Sequence, residues 1–343
     1  MLKNKQKIAL MLPGGGARGS YQVGALKGIL EILDGEKNIF PIITGTSAGA
    51  INAVVMASYA NDLPLGVQRL EKFWTNIHCH NIYRTDSVMI AKTILRVIGS
   101  ILFSGFGVNS PKSLLDNTPL KQLLTNELHL KQIQEVIESG ELTGVAITAS
   151  SYDTAEAKSF FQAHDSILPW HRTRRFGIPT KIGVEHILAS ASLPFLFPAQ
   201  LIGKEHFGDG GLRMTAPLSP AIHLGADKIV VIGTRDEVPI PVPVVESEYP
   251  SMGALGGYML DTIFMDTLMA DLSRLKRINY TVSLLNDEQR KKTNLKQIGT
   301  MIIKPSLDVR DITEQHSNEI PRAVRTLLKM IGGWGKDWRM PSY

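Results

Sequence analysis

The stretch ITGTSAGAIN, Ile43 to Asn52, sets a serine two places from a glycine on either side, with apolar residues before it and an alanine-rich run after it. Read as structure, it is a short strand over Pro41 to Thr46, a turn at Ser47, and a helix over Ala48 to Ala60. Upstream the same order recurs. Lys7 to Leu12 is an apolar run of strand length closed by Pro13 and glycines, and Val23, Leu26, Leu30 and Leu33 fall at helical spacing between Ser20 and Leu33. A β-α-β-α opening predicts an α/β fold with a central, mainly parallel sheet, helices on its faces, and ligands at the carboxyl ends of the strands.

Further strands are expected at Leu142 to Ser150, Lys158 to Ala163, Lys228 to Gly233 and Thr300 to Ile303. Helices are expected at Gly66 to Asn76, Pro119 to Leu128, Val184 to Ala191, Pro217 to Leu224, Met252 to Arg277 and Pro321 to Ile331. No repeat of solenoid or propeller period is present. The spaced prolines of EVPIPVPVVESEYP, Glu237 to Pro250, suit an extended connection within one domain.

The composition is that of a globular protein, with 343 residues, 43% hydrophobic and 20% charged. A net charge of +5 favours anionic partners without choosing among phospholipid surfaces, nucleotides and nucleic acid. The single cysteine, Cys79, excludes an intrachain disulfide and a multi-cysteine metal site, which favours a reducing compartment. The basic, apolar start MLKNKQKIALMLPGGG lacks a small-residue cleavage site and leads into a glycine loop, so it reads as a first strand, not a signal peptide.

Ser87 to Phe106, SVMIAKTILRVIGSILFSGF, is long enough to span a bilayer. On a helical wheel Ile90, Ile94, Val97, Ile98, Ile101 and Leu102 share one face, with Lys92, Arg96, Gly99 and Ser100 opposite and Phe103 breaking the division. Two central cations argue against spanning. The segment reads either as an interfacial or pocket-covering helix, or as an ordinary helix packed on the core.

Three short motifs carry chemistry. Gly45, Thr46, Ser47, Ala48 and Gly49 satisfy G-x-S-x-G, a turn that exposes a serine hydroxyl at the head of a helix whose amino end favours negative charge. The glycine loop PGGGARGS, Pro13 to Ser20, can turn successive N–H groups toward an anion, with Arg18 beside it. Gly14, Gly16 and Gly19 also fit a dinucleotide loop. Asp34 and Glu36 are the only acidic candidates for the ribose, and neither ends a clear second strand. Asp209 lies between glycines in HFGDGGLRMTAPLSPAIHLGA, where an isolated Asp-Gly is most often a hairpin turn.

Taken together, the chain resembles the patatin-like phospholipase family. The resemblance rests on G-G-G-x-[KR]-G at Gly14, Gly15, Gly16, Ala17, Arg18 and Gly19, the elbow at Ser47, and D-G-[GA] at Asp209, Gly210 and Gly211. To these is added the approach ASASLPFLFPAQ, Ala189 to Gln200. All four occur in the family's order, between Lys7 and Gly233. The resemblance implies a three-layer α/β/α fold and acyl-ester hydrolysis by a Ser47–Asp209 dyad without a catalytic histidine. Gly14, Gly15, Gly16 and Arg18 would form the oxyanion hole, and Gly45, Gly49, Gly210 and Gly211 the close turns. It implies a lipid substrate, contact with a membrane surface, no nucleic acid, no cofactor and no metal; the cytoplasmic location expected for the chain rests on the start read as a strand and on the single cysteine. The catalytic domain is expected over residues 1–310, with a lid or interfacial insertion at about 84–118 and a helical extension at 311–343.

Two alternatives compete. A Ser-Asp-His triad needs a histidine after Asp209, and His223 and His316 are the candidates; the first falls within a predicted helix and the second in a polar stretch. A lipid- or nucleotide-binding regulatory protein on the same fold would have no need of Ser47, Asp209 and the glycine loop together. HRTRR, His171 to Arg175, could hold lipid phosphates or be a solvated basic loop, and HCHN, His78 to Asn81, lacks the second cluster a metal site needs.

Overall fold

The computed structural model of the chain describes residues 6–34, 36, 38–84, 113–235, 252–293, 295–307, 312, 315–316 and 319–330. The stretch at 87–106 and the proline-rich stretch at 237–250 lie outside the described residues, as do most of 84–118 and of 311–343.

The β-α-β-α opening forms as the sequence predicts. Strand β1 (Ile8–Leu12) leads through a 3-10 turn at Gly16–Arg18 into helix α1 (Gly19–Ile32); strand β2 (Ile42–Thr46) leads directly into helix α2 (Ala48–Ser58). Helices α3 (Leu63–Thr75), α4 (Cys79–Ile82), α5 (Thr118–Glu127) and α6 (Lys131–Glu138) follow. Next come β3 (Gly144–Ser151), β4 (Ala157–Ala163), β5 (Trp170–Arg172) and β6 (Arg175–Pro179). Helix α7 (Val184–Ser190), the hairpin β7 (Gln200–Ile202) and β8 (Glu205–Asp209), and helix α8 (Ser219–His223) precede β9 (Lys228–Ile232). The chain then runs through α9 (Met252–Ser283), α10 (Asp287–Thr293), β10 (Gly299–Ile303) and α11 (Arg322–Met330).

The sheet has the order β10-β9-β1-β2-β3-β4-β6-β5, and the five strands from β10 to β3 are all parallel. Side chains alternate across its two faces, as the two-residue period of a strand requires. Leu10, Leu12, Ile43, Val145 and Ile147 pack in one cluster with α1, α2, α3, α5 and α6. Ala9, Met11, Ile42 and Ala146 pack on the other side with Leu218, Ala221 and Leu224 near α8 and with Leu272 and Leu275 of α9. Helices on both faces of one sheet make three layers. Every residue of α2 is buried, and the helix lies so close to β2 that a Cβ on Gly45 would stand 2.6 Å from the Ala53 Cβ.

Sequence patterns did not reveal the β5–β6 and β7–β8 hairpins or the helices α4, α6 and α10. HRTRR, read as a loop, is the turn and inner ends of the β5–β6 pair. Among the described residues no helix is long and apolar enough to cross a membrane.

Candidate active site

Register brings Ser47 and Asp209 together. Strand β2 pairs with β3 only as far as Thr46 opposite Thr148; beyond that point β3 pairs with β8, running the other way, with Asp209 opposite Ala149. The two strands thus occupy one lane of the sheet and meet head to head. The residue that follows β2 is Ser47, and the residue that ends β8 is Asp209.

Ser47 has φ 55 and ψ −129, a conformation that side-chain-bearing residues avoid, at the N-cap of α2. The elbow is as tight as its glycines predict. A Cβ on Gly49 would run into the Leu12 carbonyl, and one on Gly14 would stand 2.9 Å from Ser47 Cβ and 3.6 Å from its Oγ. The glycine loop therefore lies directly against the serine. Gly16 takes φ 56, in the left-handed region that glycine enters freely. Among the described residues nothing accepts a hydrogen bond from the N–H of Gly15 or Gly16. Arg18 is buried at the end of the 3-10 turn.

Asp209 has no solvent exposure. Its Oδ1 accepts from the Gly211 N–H at 2.9 Å, while Oδ2 is sealed from water without a partner in full hydrogen-bond geometry. Burial pushes the carboxyl up to about 7, against the opposing pull of the adjacent Ser47 hydroxyl and the Gly211 N–H. The charge of Asp209 in turn helps burial to raise the Tyr152 hydroxyl. A carboxylate poised near neutral pH beside a serine can take that serine's proton.

Several further residues hold this arrangement, and of these Gln22, Asn52, Trp74 and Thr234 carried no recognisable sequence signal. The Thr234 hydroxyl donates to the Gly14 carbonyl at 2.8 Å. Gln22 Nε2 donates to the carbonyls of Pro13 at 2.8 Å and Ile232 at 3.2 Å. Asn52 Nδ2 donates to Gln22 Oε1 at 2.8 Å and to the Gly19 carbonyl at 2.9 Å, and its Oδ1 accepts from Trp74 Nε1 at 2.7 Å. The Ser190 hydroxyl accepts the Ser47 N–H at 2.9 Å, and the Ser192 carbonyl accepts the Asp209 N–H at 2.8 Å. Both lie in the ASASLPFLFPAQ stretch.

The histidines sit elsewhere. His223 Nδ1 is 2.8 Å from the Ser219 carbonyl, and its ring stacks on Trp170 at 4.8 Å; burial lowers its basicity. His316 is exposed, 2.7 Å from Glu319. Among the described residues no histidine bonds to Ser47 or Asp209, and no cluster of three His, Cys, Asp or Glu could hold a metal ion.

The sequence matches the family described as patatin-like phospholipase over residues 10–222. No curated protein sequence matches it. Among solved structures the chain is similar to VipD from Legionella pneumophila, with 12% identity and a TM-score of 0.40 over 96% of this chain and 67% of that one. It is also similar to the type III effector protein ExoU, with 14% identity and a TM-score of 0.31 over 98% of this chain and 77% of that one.

Proposed function

Because the chain belongs to the patatin-like phospholipase family, a family of lipid acyl hydrolases, we propose that it cleaves fatty-acyl esters of lipids through a Ser47–Asp209 dyad and a glycine-rich oxyanion hole. The observation that carries this reading is the buried Asp209 carboxyl, pushed up to about 7, beside Ser47 at the meeting point of β2 and β8.

Asp209 takes the proton of Ser47 as Oγ attacks the ester carbonyl carbon. The N–H groups of Gly15, Gly16 and Ala48 receive the developing oxyanion, aided by the amino end of α2 and by the charge of Arg18. Asp209 passes its proton to the departing alcohol, leaving the acyl group on Ser47. A water, deprotonated by Asp209, then attacks the acyl carbon; the bond to Ser47 Oγ breaks, Oγ takes the proton back from Asp209, and the fatty acid is released. The close turns at Gly14, Gly45, Gly49, Gly210 and Gly211 keep the backbones near enough for this geometry. Strands β9 and β10 are integral to the sheet, which supports a catalytic domain reaching to about residue 310. The proposed partner is a lipid ester presented at a membrane surface, with no nucleic acid.

The test is a panel of phospholipids, lysophospholipids and neutral esters, with products identified by mass, for wild type, Ser47→Ala and Asp209→Asn. Both variants are expected to lose at least about a thousandfold in kcat, and only proteins retaining Ser47 should take a fluorophosphonate label. A folded wild-type protein that neither labels nor hydrolyses any of these lipids would instead be a binder on a hydrolase fold.

A further inference from the structure

The junction of β2, β3 and β8 contains a hydroxyl that the mechanism above does not use. Ser190 closes α7 and has no solvent exposure. Its Oγ accepts the N–H of Ser47 at 2.9 Å and donates to the carbonyl of Thr148 at 2.7 Å. Thr148 is the β3 residue opposite Thr46, and the next residue, Ala149, lies opposite Asp209. The same Thr148 carbonyl occupies the space where a Cβ on Gly210 would be. One hydroxyl therefore joins the end of β2 to the β3 position against which the chain leaving β8 is packed.

The requirement at this point is specific. An N–H faces a C=O across the gap, and only a group that accepts from the first while donating to the second satisfies both. Serine does so in the space of two heavy atoms. The N–H it accepts belongs to the residue with φ 55, whose backbone angle sets the direction of Oγ. We propose that Ser190 is a positioning residue for acyl transfer: by fixing the Ser47 N–H against Thr148 it holds the elbow in the conformation that aims the nucleophile at Asp209. The inference rests on the reading of Ser47 and Asp209 as the reacting pair. Ser190 touches neither substrate nor the transferred proton, so its effect belongs in the rate and not in lipid binding.

The experiment compares Ser190→Ala and Ser190→Cys with Ser58→Ala in the full chain. Ser58 is a control of similar burial, 2% exposed, whose hydroxyl donates to the Val54 carbonyl at 2.9 Å within α2, away from the junction. Ser190→Ala should lower kcat about ten- to a hundredfold with KM within about twofold, because misplacement by an ångström is enough for such a loss. Fluorophosphonate labelling of Ser47 should slow by the same factor. Ser58→Ala should lower Tm while leaving kcat and labelling at wild-type rates. Ser190→Cys keeps the size with a weaker donor and acceptor, should fall between wild type and alanine, and serves where the alanine variant does not fold. Wild-type hydrolysis and labelling in the folded Ser190 variants would overturn the inference, as would an equal loss in Ser58→Ala. Ser47→Ala in the same assay separates the two claims: if it still hydrolyses lipid the dyad reading fails, and if it is inactive while the Ser190 variants run at full rate only the positioning role fails.

Discussion

A carboxyl with no solvent contact resists ionisation, and at Asp209 burial outweighs the Ser47 hydroxyl and the Gly211 N–H to set the value at about 7. Raising a carboxyl from near 4 to about 7 favours its neutral form by about 4 kcal/mol relative to the unfolded chain. Between about pH 4 and about pH 7 the folded state holds a proton that the unfolded state has lost, so stability falls as pH rises through that window. Above it both states are ionised and the full penalty persists. Asp209→Asn removes the charge, so it is expected to melt higher than wild type at about pH 8, with the gap closing toward about pH 4, while hydrolysis collapses. Thermal melts across that range check this; a variant that melts lower than wild type at the alkaline end contradicts it. The same proton governs rate. A general base works only when ionised, so kcat/KM should rise with pH along an acid limb centred at about 7. A limb centred near the ordinary carboxylate value would contradict the raised value at Asp209.

Among the elements, the glycine loop depends on a buried polar chain running from Trp74 through Asn52 to Gln22 and on to the carbonyls of Pro13 and Ile232. Gln22 and Asn52 have no solvent exposure, so each bond lost leaves an unsatisfied buried group. Gln22→Met keeps the length of the side chain and removes its donors and acceptor. It should cost about 2–4 kcal/mol in stability and slow labelling of Ser47, since Pro13 precedes the loop that lies against the serine. Denaturant unfolding and labelling kinetics measure the two effects, and a variant unchanged in both would mean the loop holds its shape unaided. This network was not legible in the sequence. The glycines of the loop and of the elbow were, because tight turns call for residues without side chains in a recognisable spacing, as the φ of 56 at Gly16 illustrates. The residues that brace them are ordinary polar types whose partners lie far away in the chain, as with Gln22 and Ile232 or Ser47 and Ser190. Only the fold defines those pairs.

At the scale of the molecule, the parallel half of the sheet was readable because β1, β2 and β9 are apolar runs of strand length next to helical patterns. Strand β8 was not, since Glu-His-Phe-Gly-Asp has no strand periodicity and is strand because β3 extends past the end of β2 and offers free edge groups there. Proximity of Ser47 and Asp209 follows from that overhang, which no local pattern encodes. The layout also sets His223 apart from the proposed dyad. Helix α8 carries His223 four residues from the point where the chain reaches Asp227, whose N–H bonds to the Lys7 carbonyl just before β1. His223 therefore lies toward the amino end of the parallel strands, whereas Ser47 follows the carboxyl end of β2. Strands of five residues separate those ends by roughly 15 Å, far beyond hydrogen-bond reach. His316 is exposed and occupied by Glu319. His223→Ala and His316→Ala should both keep hydrolysis within about tenfold of wild type, the first with lower stability because its ring stacks on Trp170. Steady-state rates on a lipid ester, set beside Ser47→Ala, measure this; a loss in either histidine variant as deep as that of Ser47→Ala would require a triad and a base other than Asp209.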